Sequence, residues 1–233
     1  MPVLAALARR ERINELMDDP ALDPAEHRRA LAGLARLNRV SDSPGVLWPA
    51  VRALARGGAP VRVLDVATGS GDVPRALAAK AARAGLTNLS FAGCDLSPTA
   101  VEAASRAAPG LTFFAHDAVR DPLPGGYDVV TCSLFLHHLG EADAATLLGR
   151  MAAAAGRLLL VNDLDRSRFN YLAVWAACRL LTRSPVVRFD GPASVRSAFT
   201  ADEALALAEG AGLAGATVRR RFPCRYLLTW RRV

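Results

Sequence analysis

Val61-Arg62-Val63-Leu64-Asp65-Val66-Ala67-Thr68-Gly69-Ser70-Gly71-Asp72 decides the fold of this chain. Branched apolar residues run into a glycine turn, and a helical stretch, Ala76 to Ala84, comes next. That is the strand–turn–helix opening of an α/β unit. Outward from it, Leu89 to Asp95 reads as a second strand, and Ser97 caps a helix that opens on Pro98. Leu111 to Ala115 and Tyr127 to Ser133 are the third and fourth strands. A helix from about Glu141 to Ala155 leads into a fifth, Arg157 to Val161. Thr200-Ala201-Asp202-Glu203 is a capping box that opens a further helix. Ala216 to Phe222 and Arg225 to Trp230 stand two residues apart, which only an antiparallel hairpin connects. Such alternation predicts a parallel sheet with helices on both faces, in which the hairpin places one antiparallel strand.

Residues 1–58 contain no strand pattern and read as a helical cap segment ahead of the α/β domain, 59–233. Leu31, Leu34, Ala35 and Asn38 recur there at helical spacing, and Pro20, Pro24 and Ser41-Asp42-Ser43-Pro44-Gly45 punctuate it. A helical insertion spans about 164–199. At 52% hydrophobic and 22% charged, the 233 residues exclude a disordered chain and suffice for a real core. Cysteines at 94, 132, 178 and 224, with four scattered histidines, show no ligand spacing. The reading is therefore no metal, no disulfide framework and a reducing, cytoplasmic setting. The longest apolar helix candidate, Tyr171 to Leu181, is interrupted by Arg179 and too short to span a bilayer. The net charge is +7, yet Lys80 is the only lysine in an alanine-rich chain, a pattern that codon bias alone produces. Its densest cluster, Arg219, Arg220, Arg221, Arg225, Arg231 and Arg232, falls on the terminal hairpin. Charge there guards outer strands against edge-to-edge pairing, and nucleic acid is an unfavoured partner.

The glycine loop by itself admits a dinucleotide, S-adenosylmethionine or a bare tight turn. A dinucleotide fingerprint needs a third glycine where Asp72-Val73-Pro74 stands, and Asp65 and Asp72 would repel a pyrophosphate. They suit instead a ligand that carries an ammonium and a sulfonium. Asp95, which ends the second strand, is placed to accept from vicinal ribose hydroxyls, or else to cap the next helix. Asp117 and the Ala118 amide are placed for an adenine, or for an ordinary turn.

With these residues in view, the chain resembles the class I S-adenosylmethionine-dependent methyltransferases across about residues 60–233. The resemblance rests on Val63 to Asp72, Gly93-Cys94-Asp95-Leu96-Ser97, Asp117-Ala118, Tyr127-Asp128-Val129-Val130 and Gly210-Ala211-Gly212-Leu213. The first motif is similar to that of the ubiquinone and menaquinone biosynthesis methyltransferases. The resemblance implies a Rossmann-like, seven-stranded sheet with an antiparallel last strand and S-adenosyl-L-methionine as cofactor. It would be held by Asp65, Ala67, Thr68, Gly69, Ser70, Gly71, Asp95, Leu96, Asp117, Ala118 and Ser133. Ala67 departs from the pattern, because many members have glycine there.

Ser133-Leu134-Phe135-Leu136-His137-His138-Leu139 follows the fourth strand, whose end should face the transferring methyl. A neutral imidazole (pKa about 6.5) in reach of a phenol (about 10) can act as its base. His137 and His138 point differently, so one serves, with His137 preferred, or both merely pack the loop. The stretch lacks the Asn/Asp-Pro-Pro-Tyr/Phe tetrapeptide that orients exocyclic amines. The expected acceptor is a small hydrophobic phenol, quinol or polyketide lipid, methylated on oxygen. Ring C-methylation, a nucleic-acid methyltransferase and an inactive cofactor-binding protein are the alternatives. Arg166, Asn170 and Arg188 are the candidates for contact with acceptor oxygens. Oligomeric state stays open.

Overall fold

The computed structural model describes residues 7–19, 21–23, 25, 26, 28–30, 33, 37 and 42–232. The expected helical repeat at Leu31, Leu34, Ala35 and Asn38 lies outside the described residues. After a 3₁₀ turn at Leu16–Asp18, the chain runs α1 (Ser43–Ala55), β1 (Val61–Val66), α2 (Asp72–Arg83), β2 (Leu89–Asp95), α3 (Pro98–Ala107), β3 (Thr112–Ala115) and β4 (Tyr127–Ser133). It continues with α4 (Glu141–Ala154), β5 (Ala155–Leu164), α5 (Arg168–Leu181), α6 (Pro185–Ser197), α7 (Ala201–Gly210), β6 (Thr217–Arg221) and β7 (Arg225–Arg231).

The seven strands lie in the order β3-β2-β1-β4-β5-β7-β6. β7 is antiparallel to both of its neighbours, and the other pairings are parallel. Leu47 and Val51 of α1 and Leu77 of α2 pack on one face, against Val61, Val63, Val129, Leu158 and Leu160. Leu147, Leu148 and Met151 of α4 and Ala204 and Ala208 of α7 pack on the other, against Leu64, Val130, Leu159 and Val161. Covering both faces removes the need for alternation, so Leu158 to Val161 is an unbroken apolar run with no exposure.

Local signals set the helix starts. Ser97 accepts from the Ala100 amide at 3.3 Å ahead of Pro98, and Thr200 and Glu203 form the full capping box. α2 begins at Asp72, four residues before the expected Ala76, because Gly71 turns the chain in the left-handed region at φ 74°. The insertion folds as two helices, capped by Ser167 and Ser184. Only β6 of the hairpin is an edge strand. β7 lies inside the sheet, so Arg225, expected on an outer strand, is 4% exposed. Among the described residues no helix is long and apolar enough to cross a membrane.

Candidate active site

β1 and β4 are in register, Asp65 opposite Thr131 and Val66 opposite Cys132, so the glycine loop and the Ser133–Leu139 turn leave the sheet side by side. Along the α1–α2 face the side chains change character toward this rim. Val61 and Val63 give way to Asp65, Val129 to Thr131 and Ser133, and Leu158 and Leu160 to Asn162. The apolar core thus ends in a polar row.

Asp65 is 2% exposed and lies beneath the loop. Its carboxylate accepts from Thr68 Oγ1 at 2.8 Å and Thr131 Oγ1 at 2.7 Å. Burial pushes its pKa up to about 6, with those two hydroxyls opposing the rise. Asp65 therefore shapes the loop from below and reaches a ligand only through its charge. Thr68 also sets a close approach to β2, since a Cβ on Gly93 would stand 2.8 Å from its Oγ1. Ala67, Gly69 and Gly71 are all left-handed, at φ 54°, 55° and 74°. Nothing lies within 4 Å of a Cβ built on Gly69, which leaves an open cradle above the loop beside the exposed Ser70.

Asp95 ties that cradle to β2, accepting from the Gly69 amide at 2.8 Å and the Ser97 amide at 2.9 Å. Each oxygen keeps a further lone pair. Leu96, next to it, is 68% exposed, an apolar surface suited to a planar base. Asp117 accepts from the Val119 and Arg120 amides at 3.0 and 2.9 Å, and Ala118 is buried beside it. Two side chains of the polar row have unmet needs. Ser133 Oγ and both amide atoms of Asn162 are buried with no hydrogen-bond partner among the described residues. Orphaned buried groups call for a polar ligand, so the residues present fit a cofactor with a charged amino-acid end.

Beyond this rim lies a cavity of about 360 Å³. Leu37, Leu134, Leu164, Val174 and Leu181 give it apolar walls, and Glu15, His137, His138 and Arg225 make one end ionisable. Leu134 is held at φ 56°, a left-handed conformation for a branched residue where the chain leaves β4. Asp163 grips His137 twice, at the ring Nδ1 (2.7 Å) and the backbone amide (3.1 Å). Glu15 stands 3.6 Å from His137 Nε2 and accepts from the Ser194 hydroxyl. Burial alone would strip the His137 ring of its proton, but Asp163 and Glu15 outweigh it and raise the pKa to about 10. A neutral His137 base, the reading from sequence, is thus replaced by an imidazolium held between two carboxylates. Burial pulls Arg225 down to about 10 against the field of Asp163.

Glu15 reaches the cavity because residues 10–17 are strapped across α6. Arg10 donates to Ser197 O, His137 O and Leu139 O, and Asp190 accepts from the Leu16 and Met17 amides. The other three sequence candidates are not brought to the cavity. Arg166 is 4% exposed and donates to Leu7 O, Ala198 O and both oxygens of Glu203. Asn170 donates to Asp165 O, and Arg188 to Thr182 O and Arg179 O. Their polar hydrogens hold the insertion together. The sequence reading missed Glu15, Asn162 and Arg225. Only Asn162 carries a local signal, a polar residue at an inward position of an apolar strand.

Residues 63–155 match the methyltransferase domain family. That stretch is thus a methyltransferase domain of the class I, S-adenosylmethionine-dependent kind. S-adenosyl-L-methionine is its cofactor. No curated protein matches this chain by sequence. Among solved structures it is similar to the plantazolicin methyltransferase BpumL in complex with a triazolic desmethylPZN analog and SAH, at 13% identity and a TM-score of 0.70, covering 99% of this chain and 96% of that one. SibL, an S-adenosylmethionine-dependent methyltransferase in its apo form, gives 18%, 0.67, 97% and 64%. Magnesium protoporphyrin IX methyltransferase from Synechocystis PCC 6803 with SAH gives 19%, 0.57, 92% and 90%. At these identities the likeness is one of fold.

Proposed function

We propose that this methyltransferase transfers a methyl group to the oxygen of a small, hydrophobic, hydroxylated aromatic. The observation that carries the reading is the cavity: apolar along its walls, ionisable at one end, and next to the rim of β4. About 360 Å³ suits an acceptor of one or two rings. The 1–58 segment, through Glu15 and Leu37, and the 164–199 insertion, through Val174, Leu181 and Ser194, cover it.

The cofactor, when bound, supplies the electrophilic methyl. Asp95 would hold its ribose, Leu96, Asp117 and Ala118 its adenine, and the loop with Ser133 and Asn162 its amino-acid end. At the cavity's polar end the work falls to the chain's own groups. The acceptor hydroxyl donates to the Glu15 carboxylate, whose pKa burial would raise but the two histidines hold below the usual value, and the proton passes to it as the oxygen–methyl bond forms. The His137 cation, oriented by Asp163, stabilises the phenolate character of an oxygen whose unperturbed pKa is about 10. Leu134, Leu164 and Leu181 exclude water and hold the ring for in-line attack.

The basic charge lends little to a nucleic-acid partner. Arg220 pairs with Asp165 at 3.0 Å, Arg232 donates to three backbone carbonyls, and Arg225 is buried. A labelled-methyl assay against phenols, quinols, polyketide lipids and RNA tests the proposal, with mass spectrometry to locate the methyl. Label on a phenolic oxygen is expected, with kcat lowered in Glu15→Gln. Label on a ring carbon or on RNA would overturn it.

A further inference from the structure

We propose that Glu15, His137 and His138 form a site for one divalent transition-metal ion at the polar end of the cavity, where it would take the acceptor's oxygen. The inference rests on reading this cavity as the acceptor site. His137 Nε2 and His138 Nε2 stand 3.6 and 4.0 Å from Glu15 Oε1, and the ligating atoms of the three residues all lie within 4.8 Å of one another. A separation of 3.6 Å is too long for a hydrogen bond. It matches what two ligands about 2.1 Å from a shared ion define at roughly tetrahedral angles, about 3.4–3.6 Å. The half-buried His138 closes the remaining distance by a small rotation of its ring.

The outer groups are arranged as a metal site needs them. Asp163 Oδ1 holds His137 Nδ1 at 2.7 Å, which leaves Nε2 as the atom that faces Glu15. Asp163 is itself fixed by the amides of His137 and Leu164, at 3.1 and 2.7 Å. The Ser194 hydroxyl donates to Glu15 and orients that carboxylate. Asp163 at Nδ1 and Glu15 at Nε2 bring two carboxylates to one imidazole, a charge that a dication at Nε2 would offset. Two imidazoles with one carboxylate select zinc, iron(II) or manganese(II) over calcium or magnesium. Three protein ligands leave a position open toward the cavity, where a bound hydroxyl would be polarised and more readily lose its proton to the second Glu15 oxygen, Oε1 alone facing the two histidines. Spacing could not reveal the site, because adjacent histidines form no ligand pattern and the third ligand stands in the cap segment.

The test uses tag-free, full-length protein stripped with EDTA and titrated with Co²⁺, whose visible absorption reports its ligands. One Co²⁺ per chain is expected, displaced by Zn²⁺. Glu15→Gln and His138→Ala should each weaken Co²⁺ binding at least tenfold, and Asp163→Asn by about 10–100-fold through the orientation of His137. His116→Ala should leave it unchanged, and binding of S-adenosylhomocysteine to every variant shows that each is folded. No saturable Co²⁺ binding to the wild type overturns the inference, as does equal affinity in Glu15→Gln and His138→Ala. Turnover of a phenol that survives full metal removal, without Co²⁺ binding, removes the metal and keeps the acceptor reading. Saturable Co²⁺ binding with no turnover of any hydroxylated aromatic supports the metal and removes the acceptor reading.

Discussion

Asp65 offers a test in which stability and ligand binding move in opposite directions. The side chain is 2% exposed, and its pKa rises from 3.8 to about 6. A raised carboxylate contributes its stability below the unfolded pKa and loses it as pH rises through the folded one. About two pKa units correspond to about 3 kcal/mol, largely present at pH 4 and fully lost by pH 7. Asp65→Asn removes that cost. An amide oxygen still accepts from Thr68, and Thr131 Oγ1 already lies 3.4 Å from the Leu64 carbonyl, an alternative acceptor. The variant should therefore equal the wild type near pH 4 and exceed it increasingly toward pH 7, where its Tm should be higher by about 6–12 °C. The charge has a purpose, because the cofactor brings an ammonium and a sulfonium to the loop above it. Affinity for S-adenosylmethionine should fall on the order of tenfold in the variant. Thermal unfolding from pH 4 to 7 and calorimetry at pH 7 supply both readouts. A stability gap that does not change with pH would refute the argument, and so would an unchanged affinity.

Gly71→Ala places a methyl 2.8 Å from the Phe113 ring and 3.0 Å from Ala104, at φ 74°. It should cost about 2–4 kcal/mol and weaken S-adenosylhomocysteine, as calorimetry and melting will show. Ala67→Gly relieves left-handed strain of about 1–2 kcal/mol but loosens the unfolded chain by about 0.4–1. The melting temperature should hold or rise by a few degrees (roughly 2–4 °C per kcal/mol), with cofactor affinity kept. Arg166→Met breaks the pair between its buried guanidinium and the partly exposed Glu203 carboxylate and leaves the Leu7 and Ala198 carbonyls unmet. It should lower stability by about 1–3 kcal/mol and leave the acceptor KM unchanged, whereas a raised KM at unchanged stability would restore Arg166 as an acceptor contact. Gly191→Ala drives a methyl into Cys178 and Val174 where α6 crosses α5. It should raise the acceptor KM while S-adenosylhomocysteine binds as before.

What could be read from the sequence was whatever depends on neighbours along the chain. The glycine turn, the caps at Ser97 and Thr200 and the short hairpin link are local, and each fixes an element or a connection irrespective of the rest. The cofactor half of the site was accessible for the same reason, since its residues follow directly on β1, β2, β3 and β4. The acceptor half was not. Its polar end joins residue 15 to residues 137 and 138, and the contact exists only because the cap segment lies across α6. Arg225 shows how composition misleads: within a run of exposed arginines it alone is buried, since β7 rather than β6 is held inside the sheet. Arg166 fails in the other direction, because a polar residue after a strand end looks functional until its capping-box partner, Glu203, comes within 2.5 Å. The alternation along β5 carries a further signal. An inward position that reads leucine, leucine and then asparagine places an amide where only a polar ligand can satisfy it, and Asn162→Leu should therefore cost cofactor affinity without costing stability. Melting and S-adenosylhomocysteine calorimetry on that variant decide whether Asn162 belongs to the cofactor site or to the core.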